Sequence, residues 1–111
     1  MRILIVDDDI NKYSHVLQYS PHFATSKDDA YLTLQVTSFD IVFVNTKFND
    51  DFVNRIRKID AYVPIYLLNL SNDGKCLIEY ASLIDGYLVR IEQVKEKIDR
   101  LISRCEKVLV I

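Results

Sequence analysis

The fold is decided by residues 2–9, which read RILIVDDD. Residues 3–6 are an unbroken run of leucine and β-branched side chains, and three aspartates end it. Apolar residues at consecutive positions are typical of a strand that is covered on both faces, as in a parallel sheet between helices. The same design recurs as DIVFVN at 40–45 and PIYLLN at 64–69, with shorter versions HFAT at 22–25 and GYLVR at 86–90. The chain is therefore predicted to contain five strands of a parallel sheet.

The segments between these runs carry helix signals. Ser26 and Asp29 have the spacing of a capping box at the start of a helix. Residues 49–51, NDD, place acceptors and negative charge before a predicted helix over 52–59. From Ile91 to Val108, apolar residues at three- and four-residue steps form one stripe opposite a charged face. With right-handed crossovers, this alternation predicts an α/β domain with a three-layer, doubly wound, five-stranded parallel sheet.

Length and composition exclude several classes of protein. A chain of 111 residues, half of them hydrophobic and 27% charged, is typical of one folded domain rather than a disordered segment. Two glycines leave no room for a glycine-rich phosphate loop. A net charge of −2 without a basic block predicts no direct nucleic-acid binding, and no apolar run approaches the roughly 20 residues that span a membrane. Cys76 and Cys105 have no CxxC partner, so we expect free thiols in a reducing cytoplasm.

The carboxyl ends of the predicted strands are polar against this apolar background. Three aspartates follow the first strand, Asn45 ends the third, Asn69 the fourth and Arg90 the fifth. Each side chain could simply cap the helix that follows it. In open parallel sheets, however, ligands and chemistry collect at the carboxyl ends of the strands. The arrival of all these side chains at corresponding positions predicts a functional site along this edge.

These segments, in this order, resemble the receiver domain of bacterial two-component response regulators over nearly the whole chain. Residues 3–9 match the first strand and acidic pair of the family, and 40–45 match its third strand. Residues 64–69 and 85–90 match its fourth and fifth strands. The resemblance implies a flavodoxin-like fold, with a receiver-like domain over 1–107. Residues 108–111 would form a tail, a possible junction to a missing output domain.

Three functional positions depart from the pattern of the family. The third strand of a receiver ends in a phospho-accepting aspartate, but here Asn45 stands there, and an amide cannot form the acyl phosphate that a carboxylate forms. The position of the switch serine or threonine holds Asn69. The position of the lysine holds Arg90, a planar fork rather than a compact charge. The resemblance therefore implies a receiver that is not phosphorylated.

The acidic pair and the aromatic switch residue of the family are kept, as Asp7, Asp8 and Tyr87. In the family, magnesium is held by the acidic pair and the acceptor aspartate. With a neutral Asn45 we expect weak magnesium binding at most, through Asp7 and Asp8, and no other cofactor. We expect Arg90 to pair with the two carboxylates instead, and to hold the domain in one state without phosphate.

We predict a signalling or regulatory protein that acts through protein–protein contacts and is not an enzyme. In receivers, the face made by the fourth helix, the fifth strand and the fifth helix commonly binds partners or a second copy. Here the last predicted helix carries alternating charges suited to ion pairs across a two-fold axis. These residues are Lys95, Asp99, Arg100 and Arg104.

Two alternatives stay open. The β-like residues 107–111, KVLVI, resemble the junction at which winged-helix transcriptional regulators begin their DNA-binding domain. The chain would then be the receiver half of such a regulator. Alternatively, DDDIN at 7–11 loosely resembles the Asp-x-Asp-x-Thr loop of haloacid-dehalogenase phosphatases, although no late acidic pair follows.

Overall fold

A computed structural model describes residues 1–48, 51–68 and 81–109, and its centre is a five-stranded sheet. All neighbouring strands are parallel, in the order β2-β1-β3-β4-β5. The predicted α/β class, the five strands and the flavodoxin-like topology are confirmed. The strands are β1 (Ile3–Val6), β2 (His22–Ala24), β3 (Ile41–Asn45), β4 (Ile65–Leu68) and β5 (Gly86–Leu88).

Three α-helices and two 3₁₀ helices lie between or after these strands in the described ranges. The α-helices are α1 (Lys27–Val36), α2 (Phe52–Ile59) and α3 (Gln93–Leu109). The segment Ile10–Tyr19 that follows β1 is wound as a 3₁₀ helix with a kink at Tyr13, and Thr46–Phe48 is a single 3₁₀ turn after β3. None of the helices in these ranges is long and apolar enough to cross a membrane.

The helices cover both faces of the sheet, which explains the unbroken apolar runs. On one face, Leu4 and Val44 belong to a buried cluster with residues of α1 and α2, among them Leu34 and Ile56. On the opposite face, strand residues pack against the 3₁₀ helix Ile10–Tyr19 and α3. Each fully buried aliphatic or aromatic side chain contributes about 1.5–3 kcal/mol to this packing. The members of the second cluster are Ile3, Ile5, Tyr13, Val16, Ile41, Phe43, Leu68, Leu88, Val94 and Ile98.

The two predicted helix starts behave differently. At α1, the Ser26 hydroxyl accepts a hydrogen bond from the Asp29 N–H at 3.1 Å, which confirms the predicted cap. At α2, Asp51 lies in the left-handed region (φ 59°) and its side chain does not cap the helix. Its carboxylate accepts from the Asn54 amide at 2.9 Å instead. The predicted capping by Asp51 is therefore wrong; the other two residues of that prediction, 49 and 50, lie outside the described residues.

The C-terminal segment is helical for longer than the β-like reading allows. Helix α3 continues through Leu109, so the prediction of β-like structure is wrong for residues 107–109. The apolar stripe that begins near Ile91 keeps its helical spacing as far as Val108, and each residue added to an existing helix gains a backbone hydrogen bond. Residues 69–80 and 110–111 lie outside the described ranges, and Asn69 and Cys76 are among them.

Candidate functional site

A buried pair of polar side chains marks the carboxyl edge of the sheet where β1 and β3 end. The parallel register pairs Val6 with Val44, so Asp7 and Asn45 follow at neighbouring positions. The Asn45 Nδ2 group donates to Asp7 Oδ2 at 3.0 Å. Asp7 is 0% exposed and Asn45 is 3% exposed, and no other charged or amide side chain is buried among the residues that the structure describes. The sequence thus predicted correctly that these two strand ends meet.

Asp7 is surrounded by hydrogen-bond donors. Its Oδ2 atom accepts from the Tyr13 hydroxyl at 2.6 Å and lies 3.5 Å from Lys12 Nζ. Its Oδ1 atom accepts from the Asp9 backbone N–H at 3.0 Å. Because a buried carboxylate is costly unless it is paired and hydrogen-bonded, these donors and the Asn45 amide allow Asp7 to be ionised at this position.

The ionisation of this cluster follows from those contacts. Burial opposes the charged form of Asp7, but the hydrogen bonds from Tyr13, Asp9 and Asn45 and the charge of Lys12 outweigh it. They hold the pKa of the Asp7 carboxyl below its ordinary value. Burial, together with the neighbouring carboxylate, raises the pKa of the Tyr13 phenol far above its usual range. At neutral pH the pair is therefore a phenol that donates to a carboxylate.

Lys47 joins the two members of the acidic pair. Its ammonium contacts Asp8 Oδ1 and lies 3.8 Å from Asp7 Oδ1. The hydrogen bond to Asp8 raises the pKa of Lys47, so the side chain stays cationic. Asn45 Oδ1 accepts the backbone N–H of Lys47 at 3.1 Å, which ties the 3₁₀ turn after β3 to the strand end. The position of the lysine is thus set by the same asparagine that contacts Asp7.

The predicted ion pair between Arg90 and the acidic pair is wrong. In the part of the chain that the structure describes, Asp7 and Asp8 are paired with lysines, Lys47 and Lys12, and not with Arg90. The Arg90 side chain is exposed and lines a cavity of about 220 Å³ that also borders Asp7 and Lys12. Strand β5, which precedes Arg90, lies three strand spacings from β1, or about 14 Å at 4.8 Å per spacing. Strand β3, which precedes Lys47, is the direct neighbour of β1, so Lys47 starts closer to the acidic pair.

The remaining predicted positions are less informative. Asn69 lies outside the described residues. Tyr87 is 48% exposed, so it lies at the surface rather than among the buried side chains of the site. Its role as a switch residue stays a prediction.

Sequence reasoning missed three members of the cluster: Lys12, Tyr13 and Lys47. A lysine two residues after the strand that neighbours β1 was a usable signal for Lys47. Tyr13 gave no such signal, because the tight winding of residues 10–19 and the kink at Tyr13 decide where its hydroxyl lies. In an ordinary α-helix the same residue would point in another direction.

The donor set does not fit a magnesium ion, the metal that the resemblance implies. Magnesium needs oxygen ligands with free lone pairs in octahedral geometry. Here the Asp7 oxygens accept from protein donors, Asp8 contacts an ammonium, and Asn45 turns its NH₂ group toward Asp7 and its oxygen toward the Lys47 N–H. Within the described ranges, no group of three or more histidine, cysteine, aspartate or glutamate side chains could hold a metal.

No protein-family model matches the sequence, and no curated protein matches it either. Solved structures do match. Chemotaxis response regulator CheY4 of Vibrio cholerae is 23% identical, with a TM-score of 0.73, over 89% of this chain and 96% of that one. A two-component response regulator from Clostridium difficile is 19% identical, with a TM-score of 0.75, over 95% and 98%.

A third similar structure is response regulator TrrA of Thermotoga maritima, solved in complex with Mg²⁺-BeF. It is 21% identical, with a TM-score of 0.71, over 90% of this chain and 97% of that one. Each of the three matches covers most of this chain and nearly all of the matched protein. This chain has the flavodoxin-like fold of CheY-like response regulator receiver domains.

Proposed function

We propose that this protein is a cytoplasmic receiver-like signalling module that is not controlled by phosphorylation and that acts through protein–protein contacts. Its fold is that of receivers, and the polar cluster lies at the carboxyl edge of the sheet, where that fold class places its sites. The observation that carries the proposal is the side chain at the end of β3. Asn45 is buried and its amide nitrogen donates to Asp7, so no carboxylate is present at this strand end to accept a phosphoryl group.

The two alternatives receive less support. A haloacid-dehalogenase phosphatase would use Asp7 as the nucleophile, but both oxygens of that carboxylate accept hydrogen bonds from the protein. The winged-helix alternative rested on β-like residues 107–111, and the helix through Leu109 removes that support for residues 107–109. Magnesium-dependent turnover of an aryl phosphate that is lost in Asp7→Asn would revive the phosphatase alternative.

Intact-mass spectrometry after incubation with acetyl phosphate and magnesium tests the proposal. We expect no phosphoryl adduct on this chain, whereas a receiver with an acceptor aspartate, treated in parallel, gains one. An adduct on any aspartate of this chain would contradict the proposal. The parallel receiver shows that the phosphodonor was active.

The contact face that we propose contains β5 and α3. Tyr87 and Val89 expose about half of their side chains there. On α3, Lys95 and Asp99 pair with each other at 2.8 Å, which leaves Arg100 and Arg104 as exposed charges for a partner. Exposed ion pairs contribute only about 0–1 kcal/mol each, so a partner or a second copy must bury the apolar side chains as well.

Light scattering at low and high salt tests the self-associating form of this proposal. We expect a concentration-dependent increase in mass that salt weakens. A monomer at all concentrations up to the millimolar range would exclude self-association and leave a different protein as the partner.

A further inference from the structure

We infer that the Lys47 ammonium is a built-in counter-ion of Asp7 and Asp8 and occupies the place of a divalent cation. The inference deepens the proposed function, on which it rests for the receiver-like use of this edge. According to this inference, the site fits magnesium poorly because Lys47 lies there, and not only because Asn45 replaces the acceptor carboxylate.

Both members of the acidic pair have cationic partners within the chain itself. Two carboxylates, Asp7 and Asp8, face two ammonium groups, those of Lys47 and Lys12. Lys47 is the group that reaches both carboxylates, because its Nζ contacts Asp8 Oδ1 and lies 3.8 Å from Asp7 Oδ1. A divalent cation bound between these two oxygens would have to displace that ammonium.

Several contacts hold Lys47 in this place. Its backbone N–H donates to Asn45 Oδ1, which fixes the turn directly after β3. Its ammonium also lies 5.6 Å from the centre of the Phe48 ring, a cation–π contact. The side chain is 44% exposed, but the residue is held at its backbone N–H and at its ammonium group.

The inference predicts that the charge of Lys47 suppresses metal binding, and that metal binding becomes measurable when this charge is removed. Without Lys47, the carboxylate of Asp8 and one oxygen of Asp7 lose their shared cation. Mg²⁺ is then no longer repelled by one positive charge at a distance of about 4 Å. Removal of this repulsion is enough for an affinity gain of at least about tenfold, even when solvent screens the site. The unaltered chain should not respond to magnesium beyond an effect of ionic strength.

The experiment compares Lys47→Met with Lys58→Met, a substitution of an exposed lysine in α2, and with the conservative Lys47→Arg. Each protein is titrated with MgCl₂ by calorimetry and by thermal unfolding, with NaCl at equal ionic strength as the reference. We expect Lys47→Met to bind Mg²⁺ at least about tenfold more tightly than the unaltered chain, and to gain melting temperature with magnesium. Lys58→Met and Lys47→Arg should behave like the unaltered chain. Equal affinity in Lys47→Met and the unaltered chain would overturn the inference.

A second measurement needs no variant and applies even if Lys47→Met does not fold. Substoichiometric Mn²⁺ is added to the unaltered chain, and paramagnetic broadening of amide resonances is recorded. We expect the amides of residues 7–9 and 45–47 to stay sharp, and selective broadening there would overturn the inference. Neither measurement involves a phosphodonor, so a failure here is distinguishable from the phosphoryl adduct that would contradict the proposed function.

Discussion

Replacement of Tyr13 by phenylalanine removes one oxygen atom from the centre of the cluster. That hydroxyl is fully buried and donates to Asp7 Oδ2 at 2.6 Å. The phenylalanine ring keeps the aromatic contact with Phe23, whose centroid lies 5.8 Å away. The change therefore tests the hydrogen bond with little change in packing.

The expected cost follows from the charge on the acceptor. A hydrogen bond to a charged group contributes about 1.5–3 kcal/mol. Because Asp7 keeps donors from Asn45 and Asp9 and the charge of Lys12, we expect the lower part of that range, about 1.5–2 kcal/mol. The unfolding entropy is about 2.1 cal/mol/K per residue, so for 111 residues this loss lowers the melting temperature of Tyr13→Phe by about 6–9 °C.

The cost should also depend on pH. The folded pKa of Asp7 lies below its value in the unfolded chain, about 3.9. Its ionised form therefore stabilises the fold above that value, and this stabilisation is lost as pH falls through the folded pKa. Tyr13→Phe moves the folded pKa back toward the unfolded value. The stability difference between the variant and the unaltered chain is full at neutral pH and becomes smaller in acid.

Urea denaturation at a series of pH values from neutral to about pH 3 measures both effects. Tyr62→Phe is the matched control, because Tyr62 is 93% exposed and its hydroxyl should contribute little. If Tyr13→Phe is as stable as the unaltered chain at neutral pH, or if its deficit does not change with pH, the charged hydrogen bond is not the stabilising contact.

Three further changes probe the frame that holds the site. Gly86→Ala places a Cβ 2.8 Å from Tyr66 Cε1; we expect a loss of about 1–2 kcal/mol in thermal unfolding, which Tyr66→Leu in the same chain should largely relieve. Arg57→Met removes hydrogen bonds to carbonyl groups before β4 and β5 and should cost about 2–3 kcal/mol in urea; a neutral result would contradict that bracing role. Ser26→Ala should cost about 1 kcal/mol through its cap, whereas the exposed Ser103→Ala should change stability by less than about 0.5 kcal/mol; equal effects would refute the cap.

The strands could be predicted because their sequence signal is local. The run Ile3–Val6 is apolar at every position since both of its faces are covered, and the cap at Ser26 depends on residues three apart. The meeting of Asp7 and Asn45 follows from parallel topology alone, because β1 and β3 end at the same edge.

The partners of the acidic pair could not be predicted in the same way. The choice between Arg90 and Lys47 depends on the strand order and on the turn after β3. Strand β5, which precedes Arg90, lies two strand spacings farther from β1 than β3, which precedes Lys47. The left-handed backbone at Asp51 and the kink at Tyr13 have no distinct sequence signal, because their sequences resemble an ordinary cap and an ordinary helix. Side-chain pairing thus depends on loop paths that periodicity does not encode.

The short strands at the two edges of the sheet restrict how this protein can meet a partner. The outer strands, β2 and β5, have three residues each, so an added strand would find few backbone donors and acceptors with which to pair. Recognition by strand addition, the route that many peptide-binding domains and many aggregates use, would gain little here. A binding partner therefore has to recognise side chains on the helices and loops rather than the backbone groups of an edge strand.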